Sequence, residues 1–356
     1  MMERVEQACG RRLAVDSLYR LATIEHLANA LTEQEGPALQ SPVVPIQTGG
    51  RKLPFFFFHG DFNGGGFYCR KLAGLMGEDQ PFYALPPLGA DGAPVPSTIE
   101  EMAELQMRDL KAFCPQGPYL LGGFCNGGLV AFEIARRLQA EGQEVRFVAV
   151  IYASAVNARY RSLQRILRVA ARLTGPSRDE QLDGFIRFRS RTIKFGEACR
   201  YYRRRLVEAL DKGIREQARL FIRAPRSLKR TVSRLLFDKE TAGGGDSELP
   251  GAEPSIDWQG ASRRTAARLK LTESYNRLMD GYVPDRYESR LTLFWPTDAP
   301  PEEINDPTMG WRRVSGRVDV RAIRGAHLTC ITRHVDSLAE QLRESLREAQ
   351  SSHSLR

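Results

Sequence analysis

No uninterrupted apolar run in the 356-residue chain approaches the ~18 residues that a membrane-spanning helix needs, so no membrane span is expected. The opening residues 1–13 (MMERVEQACGRRL) lack the apolar centre of a secretory signal, and the cytoplasm is the expected address. Cysteine is scarce. The six, at positions 9, 69, 114, 125, 199 and 330, show neither metal-type pairing nor a disulfide rhythm. That is the pattern of reduced thiols used mostly in packing. Zinc-finger spacing, an RNP-type aromatic strand and a helix-turn-helix signal are also missing, so nucleic acid is not favoured as a partner. No internal repeat is evident.

What is present fits a globular protein with a large core, built as one large or two medium domains. Hydrophobic residues make up 42% of the chain and charged residues 27%. The net charge of +9 is unevenly spread: Arg159 to Glu240 holds 23 Lys/Arg against 9 Asp/Glu, which leaves the remainder net acidic. Such a block suits nucleic acid, an anionic surface or an acidic protein partner. Without nucleic-acid motifs, the first of these recedes.

Residues 1–34 read as short helical pieces, and 35–52, rich in Pro, Gly and Gln, as a linker. A compact alternation of strands and helices follows. LPFFFFHG (53–60) reads as a strand buried on both faces, PFYAL (81–85) as a second and YLLGGF (119–124) as a third. Helical periodicity fills 97–114, after a Ser/Thr cap signal, and 129–142. Residues 144–154 read as the next strand. From about 156 to 275 the alternation gives way to basic helical segments and a Gly/acidic/Pro tract (241–257). Strands resume at 290–296 and 318–325, before a final helix. The pattern predicts an α/β fold with a mostly parallel central sheet, interrupted by a large basic helical insertion.

The strongest local signal is GGFCNGG, Gly122 to Gly128, between an apolar strand and an amphipathic helix. A nucleophile on a tight strand-to-helix turn needs small neighbours, which Gly123 and Gly127 supply around Cys125. The thiol then sits at a helix N-terminus, where the dipole and N–H groups favour thiolate. The Asn126 amide is placed to donate to an oxyanion. His327, in RGAHLTC after the last strand, occupies the place of the base in an α/β-hydrolase. His334 is a rival on the final helix; His26 and His353 are peripheral. His59-Gly60-Asp61 closes the first apolar strand, where the second oxyanion N–H arises, from Asp61 or Phe62; His59 itself reads as structural.

HGDFNGGGFY, YLLGGFCNGGLVAFEIARRL and GAHLTCITRHVDSLAEQL together resemble the type I thioesterase domains of non-ribosomal peptide and polyketide synthases. The resemblance spans roughly 52–155 and 275–347 within a domain of 53–350, and places the family's lid in the insertion. It implies release of an acyl or peptidyl chain from a carrier protein's phosphopantetheine thioester, with no cofactor bound by the domain itself. Residues 1–34 resemble the last helices of a carrier domain; Ser17 falls at the wrong place to bear the pantetheine. Carrier domains are typically acidic, which would pair with the basic lid. A Cys-dependent hydrolase or acyltransferase acting on CoA esters or lactones is the alternative on the same fold. A non-catalytic carrier-docking or nucleic-acid-binding module is the alternative of another class.

The chain departs from the family in two places. Cys125 stands where serine is usual, and Tyr152, Ala153 and Ser154 stand where the family's acid is expected. The other α/β-hydrolase position for the acid follows the penultimate strand, where LFWPTDAP puts Asp298; Asp306 is a weaker rival. Asp298 is therefore expected to orient His327, unless the acid is dispensed with, since a thiol ionises far more easily than a hydroxyl.

Overall fold

The computed structural model describes residues 42–61, 66–89, 93–175, 177–211, 263–299 and 306–351. The carrier-like helices expected over 1–34 and the tract 241–257 lie outside the described residues. The described chain falls into two compact units, one built from residues up to Leu167 together with those from Arg263, the other from Arg168 to Ser262.

The first unit is built on a seven-stranded sheet. In chain order its strands are β1 Val44–Gln47, β2 Phe55–Phe58, β3 Phe82–Leu85, β4 Tyr119–Phe124, β5 Val145–Ile151, β6 Leu291–Pro296 and β7 Val318–Ile323. They lie in the order β1-β3-β2-β4-β5-β6-β7. Only β1 is antiparallel, pairing with β3 at the edge; β2 to β7 run parallel. Part of the segment expected as linker thus supplies an edge strand. Pro45 is tolerated there because an edge strand leaves one row of backbone N–H groups unused.

Helices α1 Tyr68–Met76, α2 Ile99–Phe113, α3 Asn126–Ala140, α6 Arg263–Gly281 and α7 Val335–Ser351 belong to this unit. A parallel sheet must be covered on both faces, and the run Phe55–Phe58 shows how: all four rings are buried. Phe56 and Phe58 enter the core shared with α2 and α3, whereas Phe55 and Phe57 enter the one shared with α1 and α7. The predicted cap of α2 is Thr98, whose Oγ1 accepts from the Glu101 N–H at 3.1 Å. Helix α1 carried no signal strong enough to be predicted. β5 ends at Ile151, earlier than the periodicity predicts, because Tyr152 turns to a positive φ of 49°.

Helix α6 is anchored to α3 through a buried carboxylate. Glu133, with a side chain 2% exposed, accepts from Arg136 Nη2 at 2.6 Å and from Arg137 Nε at 2.9 Å. Its other oxygen accepts from the Tyr282 hydroxyl, just past α6, at 3.0 Å. Asn157 Nδ2 donates to the carbonyls of Asp280 at 3.1 Å and Tyr282 at 2.9 Å, closing the C-terminal end of α6. Removing the carboxylate leaves the buried Tyr282 hydroxyl and two partly exposed guanidinium groups without it. Glu133→Ala is accordingly expected to lower stability by about 3–5 kcal/mol in urea unfolding, and a loss under ~1 kcal/mol would refute that role.

Between β5 and β6 the chain runs through α4 Arg161–Thr174 and α5 Arg178–Asp211. At 34 residues α5 is long, and it exposes Arg187, Arg191, Lys194, Arg203 and Arg205. No described helix is long and apolar enough to cross a membrane. No group of three or more His, Cys, Asp or Glu among the described residues is arranged to hold a metal ion.

Candidate active site

Cys125 stands at the turn from β4 into α3 with φ 54° and ψ −123°, a conformation that side-chain-bearing residues rarely adopt. The turn survives because its neighbours have no Cβ. A Cβ on Gly123 would collide with the Gly127 carbonyl, one on Gly127 with the Phe58 carbonyl, and one on Gly60 with the Phe124 carbonyl. The Cys125 N–H donates to Ile151 O at 2.8 Å, which ties the turn to β5. Its Sγ lies 4.0 Å from Met279 Sδ on α6. Nothing in the sequence marked Met279; the ends of α6 and α3 bring it to the thiol.

His327 follows β7 and is drawn to the same turn. Its ring stacks on Phe124, the residue before Cys125, with centroids 5.1 Å apart and planes 18° apart. It also meets the Tyr152 ring at 4.4 Å with planes 30° apart, and Tyr152 stacks in turn on Trp295 at 5.0 Å. Four aromatic rings from the C-terminal ends of β4, β5 and β6 and the loop after β7 are thus linked by successive ring contacts. His327 Nε2 is buried and has no hydrogen-bond partner among the described residues. Burial pushes the His327 pKa below its ordinary value, and the Asp61 charge partly counters this.

The acid expected on β6 does not reach this histidine. Asp298 is exposed, and its carboxylate accepts from Thr297 Oγ1 at 3.1 Å. Its backbone N–H donates to Gly325 O at 3.0 Å, so the chain beside the His327 loop is pinned while the side chain faces outward. No hydrogen bond joins Asp298 to His327 among the described residues. Asp306, the weaker rival, caps its own turn by accepting from the Thr308 N–H at 2.9 Å and the Gly310 N–H at 3.0 Å. His334 lies before α7, where its ring packs against Gly325. His26 and His353 are outside the described residues.

For the oxyanion, Asn126 opens α3, whose first N–H groups have no intrahelical acceptor. Its Nδ2 donates to Gly60 O at 2.9 Å, locking the β2 loop to the Cys125 turn. The Asp61 N–H donates to the His59 carbonyl in this structure, a bond that must be exchanged before it can serve an oxyanion. Phe62 lies outside the described residues.

His59 is buried at the end of β2. It is 1% exposed, its ring lies against Gly66, and burial depresses its pKa to about 4. The unfolded chain protonates this histidine near pH 6.5 and the folded chain only near pH 4. Its contribution is therefore complete above pH 6.5 and is lost as pH falls towards 4, amounting to about 3 kcal/mol. Denaturant midpoints across that window are expected to fall for the parent and less for His59→Leu. Equal falls would assign the effect to other groups.

Residues 54–179 match the thioesterase domain family. The matched segment begins just before β2 and contains the Cys125 turn, α3 and β5. Among curated relatives, chondramide synthase cmdD of Chondromyces crocatus is 34% identical over 154 residues, covering 42% of this chain and 4% of its own length. Atromentin synthetase nps3 of Serpula lacrymans is 39% identical over 121 residues, covering 34% of this chain and 12% of its own. The chain therefore spans a small fraction of the relatives it matches. Among solved structures, the four-domain nonribosomal peptide synthetase AB3403 superposes with a TM-score of 0.52 at 19% identity, covering 96% of this chain and 23% of its own. That likeness is one of fold: an α/β fold with a mostly parallel sheet, as the strand and helix pattern predicted.

Proposed function

We propose that the chain releases an acyl or peptidyl chain from the phosphopantetheine thioester of a carrier protein, with Cys125 as nucleophile and His327 as its base. The observation that carries this reading is a thiol on a glycine-bounded, strained strand-to-helix turn, with an imidazole stacked on the preceding residue. The thioesterase segment and the two synthase relatives supply the substrate class.

In the first step the Cys125 sulfur attacks the thioester carbonyl carbon while His327 accepts the thiol proton. The oxyanion is held by the N-terminal amides of α3, starting at Asn126. The carbon–sulfur bond to pantetheine then breaks, and the leaving thiol takes the proton from His327. In the second step water, a hydroxyl or an amine attacks the acyl-Cys, gives its proton to His327, and Cys125 leaves. Exchange of one thioester for another is close to thermoneutral, so the acyl-Cys keeps the activation that an oxyester would lose. This suits amine attack or ring closure as well as hydrolysis. The cations exposed along α5 are suited to an acidic carrier.

Incubation with a carrier-bound acyl substrate, read by intact-protein mass spectrometry, tests the proposal. An adduct that Cys125→Ala abolishes is expected, and absence of an adduct on the parent would refute it. Equal acylation from the matching CoA ester would remove the carrier from the reading. Because burial keeps His327 neutral below the ordinary histidine pKa, the acidic limb of kcat/KM is expected to have its midpoint below pH 6.5.

A further inference from the structure

Tyr152 stands where the family resemblance led us to expect a carboxylate, and it is held there at a backbone cost. Its φ of 49° is rare for a residue with a bulky side chain. The peptide is fixed by the Tyr152 N–H donating to Phe294 O at 3.0 Å, and the ring is clamped on Trp295 at 5.0 Å and 11°. The same ring meets His327 at 4.4 Å and 30°. With Phe124 stacked at 5.1 Å, two aromatic rings lie against the imidazole.

We propose that Tyr152 is the positioning residue for His327, its ring doing by stacking what a carboxylate does elsewhere by hydrogen bonding. The inference rests on the reading of His327 as base to Cys125. Two consequences follow from the chemistry. Contact with the Phe124 and Tyr152 rings restrains the plane of the imidazole. When His327 takes the Cys125 proton it becomes a cation against two aromatic rings, and such rings attract a cation.

The groups facing His327 are few. Asp61 supplies the charge acting on it from the β2 loop. Cys125 adjoins its Phe124 partner, Tyr152 comes from the end of β5, and Cys330 Sγ donates to the His327 carbonyl at 3.1 Å. Asp298, on the turn after β6, directs its carboxylate to Thr297.

The test is the pH dependence of Cys125 alkylation by iodoacetamide in the full chain, alongside kcat and KM with a carrier-bound acyl substrate. Tyr152→Phe is expected to stay within about twofold of the parent at every pH, since the ring is kept. Tyr152→Leu is expected to lower alkylation and kcat about tenfold with little change in KM. It should also move the alkylation midpoint to higher pH, because a less stabilised imidazolium supports less thiolate. Asp298→Asn, at an exposed site, is expected to leave rate and midpoint in place.

Loss of rate and a raised midpoint in Asp298→Asn would overturn the inference, whether or not Tyr152→Leu folds. An unshifted profile in a folded Tyr152→Leu would overturn it too. His327→Ala separates the two levels of the reading. If that variant keeps parental alkylation and turnover, the Cys125–His327 pair itself fails; if it loses them while Tyr152→Leu does not, only the positioning role fails.

Discussion

Cys125→Ser is expected to lower acyl transfer by about three orders of magnitude, although serine is the usual residue at this turn. A serine hydroxyl is a far weaker acid than a thiol, so it depends on a base that is well oriented and whose charged form is well stabilised. Here His327 Nε2 is buried, no carboxylate hydrogen-bonds the ring among the described residues, and burial lowers its proton affinity. A thiol tolerates such a base because it gives up its proton easily and is intrinsically more nucleophilic. Cys125→Ser should leave the turn intact, since Oγ is smaller than Sγ and the backbone is unchanged. Steady-state turnover and intact-mass adducts on one carrier-bound substrate decide the matter. Retention of more than about a tenth of the parental rate would show that His327 is a stronger base than its surroundings imply.

Gly127→Ala is expected to cost more than about 3 kcal/mol and to abolish acylation together with the fold around the turn. The obstruction is backbone, not a side chain that can swing away. The new Cβ would strike the Phe58 carbonyl and lie 2.9 Å from the Gly60 amide nitrogen. A Cβ on Gly60 would strike Phe124 O in the same way, so the end of β2 and the Cys125 turn meet backbone to backbone. Relief would require β2 to move away from β4 and break a parallel register that holds Phe58 opposite Gly123. Gly74, within α1, is the contrast, because a Cβ there meets nothing within 4 Å. Gly74→Ala is expected to be neutral or to gain about 0.5–1 kcal/mol from helix propensity. Urea unfolding of the two variants measures the difference, and similar midpoints would show that the turn relaxes in a way the backbone geometry does not suggest.

The sequence by itself determined the features that depend on neighbours a few residues apart. The four consecutive phenylalanines of β2 could be satisfied only by a strand covered on both faces. The Thr98 cap, the glycines around Cys125 and the helix that follows are local consequences of turn sterics and periodicity. They marked the Cys125 turn, and the loop after the last strand marked His327 as the candidate base. Only the tertiary structure decided what surrounds that histidine. Asp298 has the right chain position, yet its carboxylate faces outward onto Thr297. Tyr152, which looked like the loss of an acid, lies between His327 and Trp295. Met279 comes to the thiol because Glu133 and Asn157 fix the end of α6. The physical reason is common to all three. Which ring meets which at the strand ends depends on sheet order and on side-chain direction at residues far apart in the chain, and neither leaves a periodic trace in the sequence.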